Sequence, residues 1–318
     1  MQNITVRMSF YLKQNFITIS LLLLIAIFFN CAGINTEIRE NKKIFNELTA
    51  QANSYWNQRT NSKALDKAEN LILKILQEDP NDFENTVLLA KIKFAKTFFL
   101  ESHPTKKNTL FLEATKICEE AVTMHPDFLV LYNKSDGDSL VKLFSTLTNA
   151  PESLLPGLYW WGKNFAHYLN TRPVIERLSN RELLEIIMNR VITLDPNFHY
   201  GGAYRFFGML YTKIPGLNIE QSSSFFDQAI KSNPHFLANS VFLAEYYHQK
   251  AGNREQFNKI LNNVLNTNLN PVFYTLEEWT FQLQTFVQSF LLVILALSYF
   301  QHNLIFNLIS AGWLPLLN

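Results

Sequence analysis

Hydrophobic positions recur at helical spacing along most of the chain. Apolar residues three and four positions apart mark amphipathic helices before each of five prolines. A proline cannot continue a helix and disfavours helix in the residue before it, so each is predicted to separate two helices. A phenylalanine follows each proline by two or three residues, and we expect its ring to pack the next helix onto the last. The prolines are Pro80, Pro126, Pro196, Pro234 and Pro271.

The same pattern indicates internal repeats. The intervals from Pro196 to Pro234 and from Pro234 to Pro271 approach the ~34-residue period of tetratricopeptide repeats. Small residues stand at matching places before several of the prolines, where paired helices approach closely: Ala68, Ala114, Ala121, Ser222 and Ala229. We therefore predict an all-α fold, a tetratricopeptide-like helical repeat superhelix over residues 43–274 that offers a surface for a ligand or partner.

Residues 1–30 have the pattern of a secretory signal peptide. Arg7 and Lys13 precede an apolar run from Phe16 to Phe29, which is shorter than the ~20 residues of a spanning helix. This segment predicts export of the rest of the chain.

Cys31 follows this run directly and is the predicted site of lipid attachment. A cysteine followed by small residues at the end of an apolar run resembles a bacterial lipobox, although Phe29 and Asn30 stand where that pattern has small residues. We expect residues 31–42 to form a lipidated N-terminus and tether. The alternative is an uncleaved signal anchor with an incidental cysteine. Both interpretations place the body outside the cytoplasm, and the first makes it a periplasmic, membrane-anchored lipoprotein on either the inner or the outer membrane.

Residues 275–318 break the repeat pattern. Beyond Glu278 there is no aspartate, glutamate, lysine or arginine, and residues 285–300 form an apolar run. One interpretation is a transmembrane segment. The other is a frameshifted end, which the sudden loss of charge beside an intact repeat favours.

Composition and charge exclude several classes of protein. Hydrophobic residues make up 47% of the chain and charged residues 17%, as in a folded protein with a large core. The net charge of +1 leaves no electrostatic footprint for nucleic acid. With only Cys31 and Cys118 there is no disulfide framework, and Cys118 is predicted to be a small buried hydrophobe.

The sequence offers no catalytic, metal or cofactor motif. It has no HExxH, CxxC, phosphate-binding loop or GxSxG pattern, and no two histidines are spaced as a metal pair on a helix. We therefore predict a binding protein with no catalytic residues, metal or cofactor.

Two clusters are candidate ligand- or partner-binding residues. Tyr159, Trp160 and Trp161 are consecutive and cannot all face one core, so they form either core plus repeat interface or the wall of a ligand cavity or partner surface. Tyr204 and Arg205 follow a Gly-Gly pair. Arg205 has the planar fork that binds carboxylate or phosphate, although such arginines are more often structural ion-pair partners.

Three segments in order resemble one family, the lipoprotein T component of tripartite ATP-independent periplasmic (TRAP) transporters. They are GLYWWG from Gly157, the segment from Gly202 through Pro215-Gly216 to Ile230, and the segment from Ala244 to Leu265. The resemblance covers Cys31 to Phe273. It departs from the family pattern at Leu217-Asn218, where the family usually has the end of a Gly-Gly-Asp turn.

The resemblance implies a lipid-anchored periplasmic protein that binds the solute-binding protein of a TRAP system and forms homo-oligomers. It also implies a pore or cavity for a hydrophobic small molecule, with Tyr159, Trp160 and Tyr204 at the matching aromatic positions. We therefore expect an accessory component of a TRAP-type uptake system. The alternatives are a tetratricopeptide-like scaffold lipoprotein for cell-envelope assembly and, with no residues in its favour, an envelope enzyme.

Overall fold

The computed structural model describes residues 42–59, 61–214 and 218–268, and every regular element in these ranges is a helix. The predicted all-α class is therefore confirmed. The tetratricopeptide superhelix stays a prediction. The signal peptide, Cys31 and the apolar tail lie outside the described residues. Among the described helices, none has both the length and the apolar character needed to cross a membrane.

Thirteen α-helices are described, and short 3-10 or π-helical turns extend some of them. They are α1 (42–56), α2 (Ser62–Glu78), α3 (Phe83–Ala95), α4 (Pro104–Met124), α5 (Pro126–Lys134), α6 (Ser139–Thr148), α7 (Leu155–Leu169), α8 (Val174–Ser179), α9 (Arg181–Leu194), α10 (Phe198–Lys213), α11 (Glu220–Ser232), α12 (Leu237–Phe242) and α13 (Arg254–Leu265). A π-helical turn continues α3 over Lys96–Leu100, a second continues α12 over Leu243–His248, and a 3-10 turn at Glu152–Leu154 precedes α7.

The proline-centred boundaries lie where the sequence places them. α2 ends before Pro80, α5 begins at Pro126, and Pro196 and Pro234 stand in the turns before α10 and α12. Side chains next to these prolines close the turns: the Asp82 carboxylate accepts from the backbone N–H of Asn85 at 3.0 Å and so caps α3. Pro271 lies outside the described residues.

Small residues let the helices pack closely. Ala68, Ala114, Ser222 and Ala229 are fully buried. The Ser222 hydroxyl donates to the carbonyl of Gly208 at 2.7 Å, which joins α11 to α10. A buried hydroxyl needs such a partner. Ser222 is therefore small enough for the predicted close packing and leaves no unpaired polar atom.

The core of the described residues forms three clusters, the smallest of which joins α12 to α13 through Leu237, Val241 and Val264. The largest runs from α3 to α10 and contains most of the buried aromatic rings, and the second joins α1, α2 and α3. Cys118 lies fully buried in the largest cluster, as predicted, and its burial raises the pKa of the thiol. The largest cluster also supports the cavity described next.

Candidate functional site

A cavity of about 110 Å³ opens among α3, α7, α9 and α10, with further wall residues from α1, α8 and α12. We call it the aromatic cavity. Its ring wall, the aromatic side chains that line it, comprises Trp56, Phe94, Phe98, Phe99, Tyr159, Trp160, His167, His199, Phe206, Phe236 and Phe242.

The π-helical turn after α3 brings adjacent rings to the cavity. Phe98 and Phe99 both lie on this turn, and their ring centroids are 4.9 Å apart in an edge-to-face arrangement. Phe94 precedes them by one turn, with its centroid 5.4 Å from both Phe98 and Trp160. An extra residue in a helical turn is a common feature of functional sites because it re-aims the following side chains.

One face of α7 forms the opposite wall. Tyr159, Lys163, Ala166 and Asn170 succeed one another at helical spacing, and all four line the cavity. The Lys163 ammonium lies 4.2 Å from the ring centroid of Phe94 and 4.4 Å from that of Trp160. Both rings thus present their negative faces to a cation that is already part of the protein.

α10 begins with a left-handed turn against this wall. His199, Tyr200 and Gly201 have φ values of 48°, 60° and 70°, a conformation that costs a non-glycine residue roughly 1–3 kcal/mol. The His199 Nδ1 lies 3.1 Å from the Tyr159 hydroxyl, and the two rings stack at 4.9 Å. The turn therefore places a histidine directly against α7.

Arg205 holds the left-handed turn in place. Its guanidinium donates to the carbonyl of His199 at 3.2 Å, to the carbonyl of Tyr200 at 3.0 Å and to the side-chain oxygen of Asn239. Asn239 in turn donates to the carbonyls of Tyr200 and Ala229. Arg205 is 4% exposed, and the partners named here are all neutral. Its donors are thus largely used within the fold.

Burial keeps the two cavity histidines neutral. Desolvation, followed by the charge of Lys163, lowers the pKa of His167 to about 3. The same two causes, followed by Arg205, lower the pKa of His199 well below its usual range. Protonating either imidazole would put a further positive charge beside the cations of this site.

The predicted site residues separate into two groups. Tyr159, Trp160 and Arg205 line the aromatic cavity, whereas Trp161 and Tyr204 do not. Trp161 is 1% exposed and packs in the largest core cluster, because one residue along a helix turns the side chain by about 100°. Tyr204 is half-buried outside the lining.

Three other residues of the site, Lys163, His199 and Asn239, are not among those that the sequence predicts. Lys163 has a usable signal, since it is four residues after Tyr159 and so on the same helical face. His199 is marked only by its place beside a proline turn. Asn239 gives no local signal, because its partners lie on α10 and α11.

The match to a protein family covers most of the residues that form this site, all but Trp56 and Arg59. A family model described as the TRAP transporter T-component matches residues 94–273. The matched range begins at Phe94, the first ring of the wall that α3 contributes, and includes α7, α9, α10 and α12. No curated protein matches the chain.

Proposed function

The chain belongs to the TRAP transporter T-component family, whose model covers more than half of its residues, and from this premise we propose that it is a lipid-anchored periplasmic accessory component of a TRAP-type uptake system. In this role it binds the solute-binding protein of that system and holds a small organic molecule in the aromatic cavity. The family is one of transport components, and the proposed role needs no catalytic group.

The aromatic cavity carries this proposal. An enclosed apolar cavity of about 150 Å³ is enough to hold a benzene molecule in other proteins. The cavity here, at about 110 Å³, is of the same order, and both aromatic rings and aliphatic side chains line it. A molecule with one ring or a short hydrocarbon chain matches this space.

The alternative role, a scaffold for cell-envelope assembly, needs only an outer surface and a filled interior. The cavity beside Tyr159 and Trp160 argues against it. Packing of large buried rings around open space is costly, because the lining atoms lose contacts on one side. A ligand that restores those contacts explains why such a space would be kept.

Native mass spectrometry of the full-length chain with the solute-binding protein of its system tests both parts of the role. We expect a mixed complex, a homo-oligomer of the chain, and a small-molecule adduct on wild-type protein. Ala166→Phe places a ring in the cavity and should abolish the adduct, whereas Ala251→Phe, at an exposed turn, should retain it. A chain that carries no adduct and ignores the solute-binding protein would favour the scaffold.

The anchor is tested separately. Cys31→Ser should abolish incorporation of labelled palmitate and release the chain from the membrane fraction. Retention of the label in this variant would show that Cys31 is not the lipidated residue.

A further inference from the structure

All the charged side chains that line the aromatic cavity are cationic. They are Arg59, Lys163, Arg177, Arg181, Arg205 and Lys213, and no aspartate or glutamate is among the described lining residues. Since the rest of the lining is mostly apolar, this excess of positive charge lies in a medium that screens it less than water does. The electrostatic potential in the cavity therefore favours an anion over a neutral or cationic ligand.

Two of these cations have evident structural partners. Arg181 forms an ion pair with Glu185 at 2.7 Å on its own helix. Arg205 holds the left-handed turn through the carbonyls of His199 and Tyr200. These contacts explain both side chains without a ligand.

Arg177 and Lys213 are different. The Nε of Arg177 is buried and has no hydrogen-bond partner among the described residues. The ammonium of Lys213 donates to the side-chain oxygen of Asn170 at 2.8 Å, a neutral partner. Neither side chain forms an ion pair with a described carboxylate. A buried donor with no acceptor costs free energy, so an acceptor at this point would be strongly favoured.

The two cations also oppose each other. Burial, and then the charge of Arg177, lower the pKa of Lys213, while Glu245 acts in the opposite direction. Glu245 does not line the cavity, and burial raises the pKa of its own carboxyl. Glu245 thus offsets only part of the repulsion between Arg177 and Lys213, and an anion bound between the two cations would relieve the rest.

We propose that the aromatic cavity binds an organic carboxylate, with the carboxylate group between Arg177 and Lys213 and the apolar body against the ring wall. The inference rests on the proposed ligand-binding role and specifies the class of ligand. A guanidinium offers a planar pair of donors that fits a carboxylate, and an ammonium adds a point charge. The position of Lys163 argues against a cationic ligand. Its ammonium already lies over the rings of Phe94 and Trp160, whose faces such a ligand would need.

The size of the cavity selects the probe. 3-Phenylpropionate has one ring and one carboxylate, and 3-phenylpropionamide has the same shape without the charge. Titration calorimetry of the full-length wild-type chain should show the acid binding about tenfold or more tightly than the amide, the usual effect of a charge-assisted pair. The affinity for the acid should fall with added salt, and the affinity for the amide should not.

Arg177→Gln and Lys213→Gln should each remove most of the preference for the acid and weaken amide binding far less, because the amide loses a hydrogen bond but no charge pair. Retained amide binding also shows that the variant cavity is intact. Arg181→Gln is the matched control, because it removes a cavity cation that Glu185 already pairs, and it should largely keep the preference.

Three results would overturn the inference. Equal affinity of the wild type for acid and amide would show that the cavity binds neutral ligands as well as anions, and would refute the proposed carboxylate site. If Arg181→Gln lost as much of the preference for the acid as Arg177→Gln and Lys213→Gln, the preference would come from the summed charge of the cavity and not from Arg177 and Lys213. Binding of neither probe would refute the ligand site together with the ligand-binding part of the proposed function. Association with the solute-binding protein is measured separately and would remain.

Discussion

Acidification should destabilise this fold through His167. The imidazole lies among three phenylalanine rings, with centroids 5.2 Å from Phe94, 5.4 Å from Phe98 and 5.0 Å from Phe111. This burial, together with the charge of Lys163, lowers its pKa from 6.5 to about 3. Below pH 6.5 the unfolded chain therefore takes up a proton that the native chain refuses, and the free energy of unfolding falls as the pH falls from 6.5 towards 3.

The size of the effect follows from the linkage. At pH 5.0 the native imidazole is still neutral, whereas the unfolded one is mostly protonated, so this single group removes about 2 kcal/mol relative to pH 7.5. His199 acts in the same direction, because its pKa is also lowered by burial. The drop is a large part of the stability of an ordinary domain.

Urea unfolding followed by circular dichroism at pH 7.5 and pH 5.0 measures this drop. His167→Phe keeps a ring in the cluster and removes the titrating group, so its drop should be smaller than that of the wild type by about 2 kcal/mol. His103→Gln, at an exposed position, should keep the wild-type drop. An identical drop in His167→Phe and the wild type would refute the reasoning.

Two further substitutions test the structure beside the cavity. Asn239→Leu removes the partner of Arg205 and should lower the free energy of unfolding by about 2–4 kcal/mol. The control Asn262→Leu, at an exposed position, should change it by less than about 0.5 kcal/mol. Similar urea midpoints for the two variants would contradict the role of Asn239. Gly202→Ala puts a Cβ within 2.6 Å of the Tyr159 ring and hydroxyl. It should lower the free energy of unfolding by about 1–3 kcal/mol and alter the near-ultraviolet circular dichroism. A wild-type spectrum and midpoint would show that the ring moves freely.

The helical framework could be predicted from the sequence because its signals are local. Proline ends a helix through its own ring and missing N–H, so the boundaries at Pro80 and Pro196 need no distant contact. Small residues such as Ala114 and Ala229 likewise reveal close packing wherever their partners lie. Both signals depend on the residue itself and not on the identity of its neighbours in the fold, so they can be recognised in the sequence.

The site could be predicted only in part because it depends on distant contacts. Tyr159 and Trp160 belong to an unusual run of rings in the sequence, but the run itself does not indicate which ring faces the core. Helical rotation decides that, and it turns Trp161 away. The left-handed conformation of His199 depends on Asn239, which is far along the chain, so no local pattern indicates it.

The cavity arises where the regular helical pattern is broken. The π-helical turn after α3 aims Phe98 and Phe99 into the space beside α7, and the left-handed turn of α10 brings His199 against Tyr159. Both departures are costly, since a regular helix would satisfy the same backbone groups with less strain. Arg205 and Asn239 stabilise the second departure through hydrogen bonds to the carbonyl of Tyr200. Violations of local preference that the surrounding structure maintains are characteristic of functional sites, and here two of them converge on one cavity within the range of the family match.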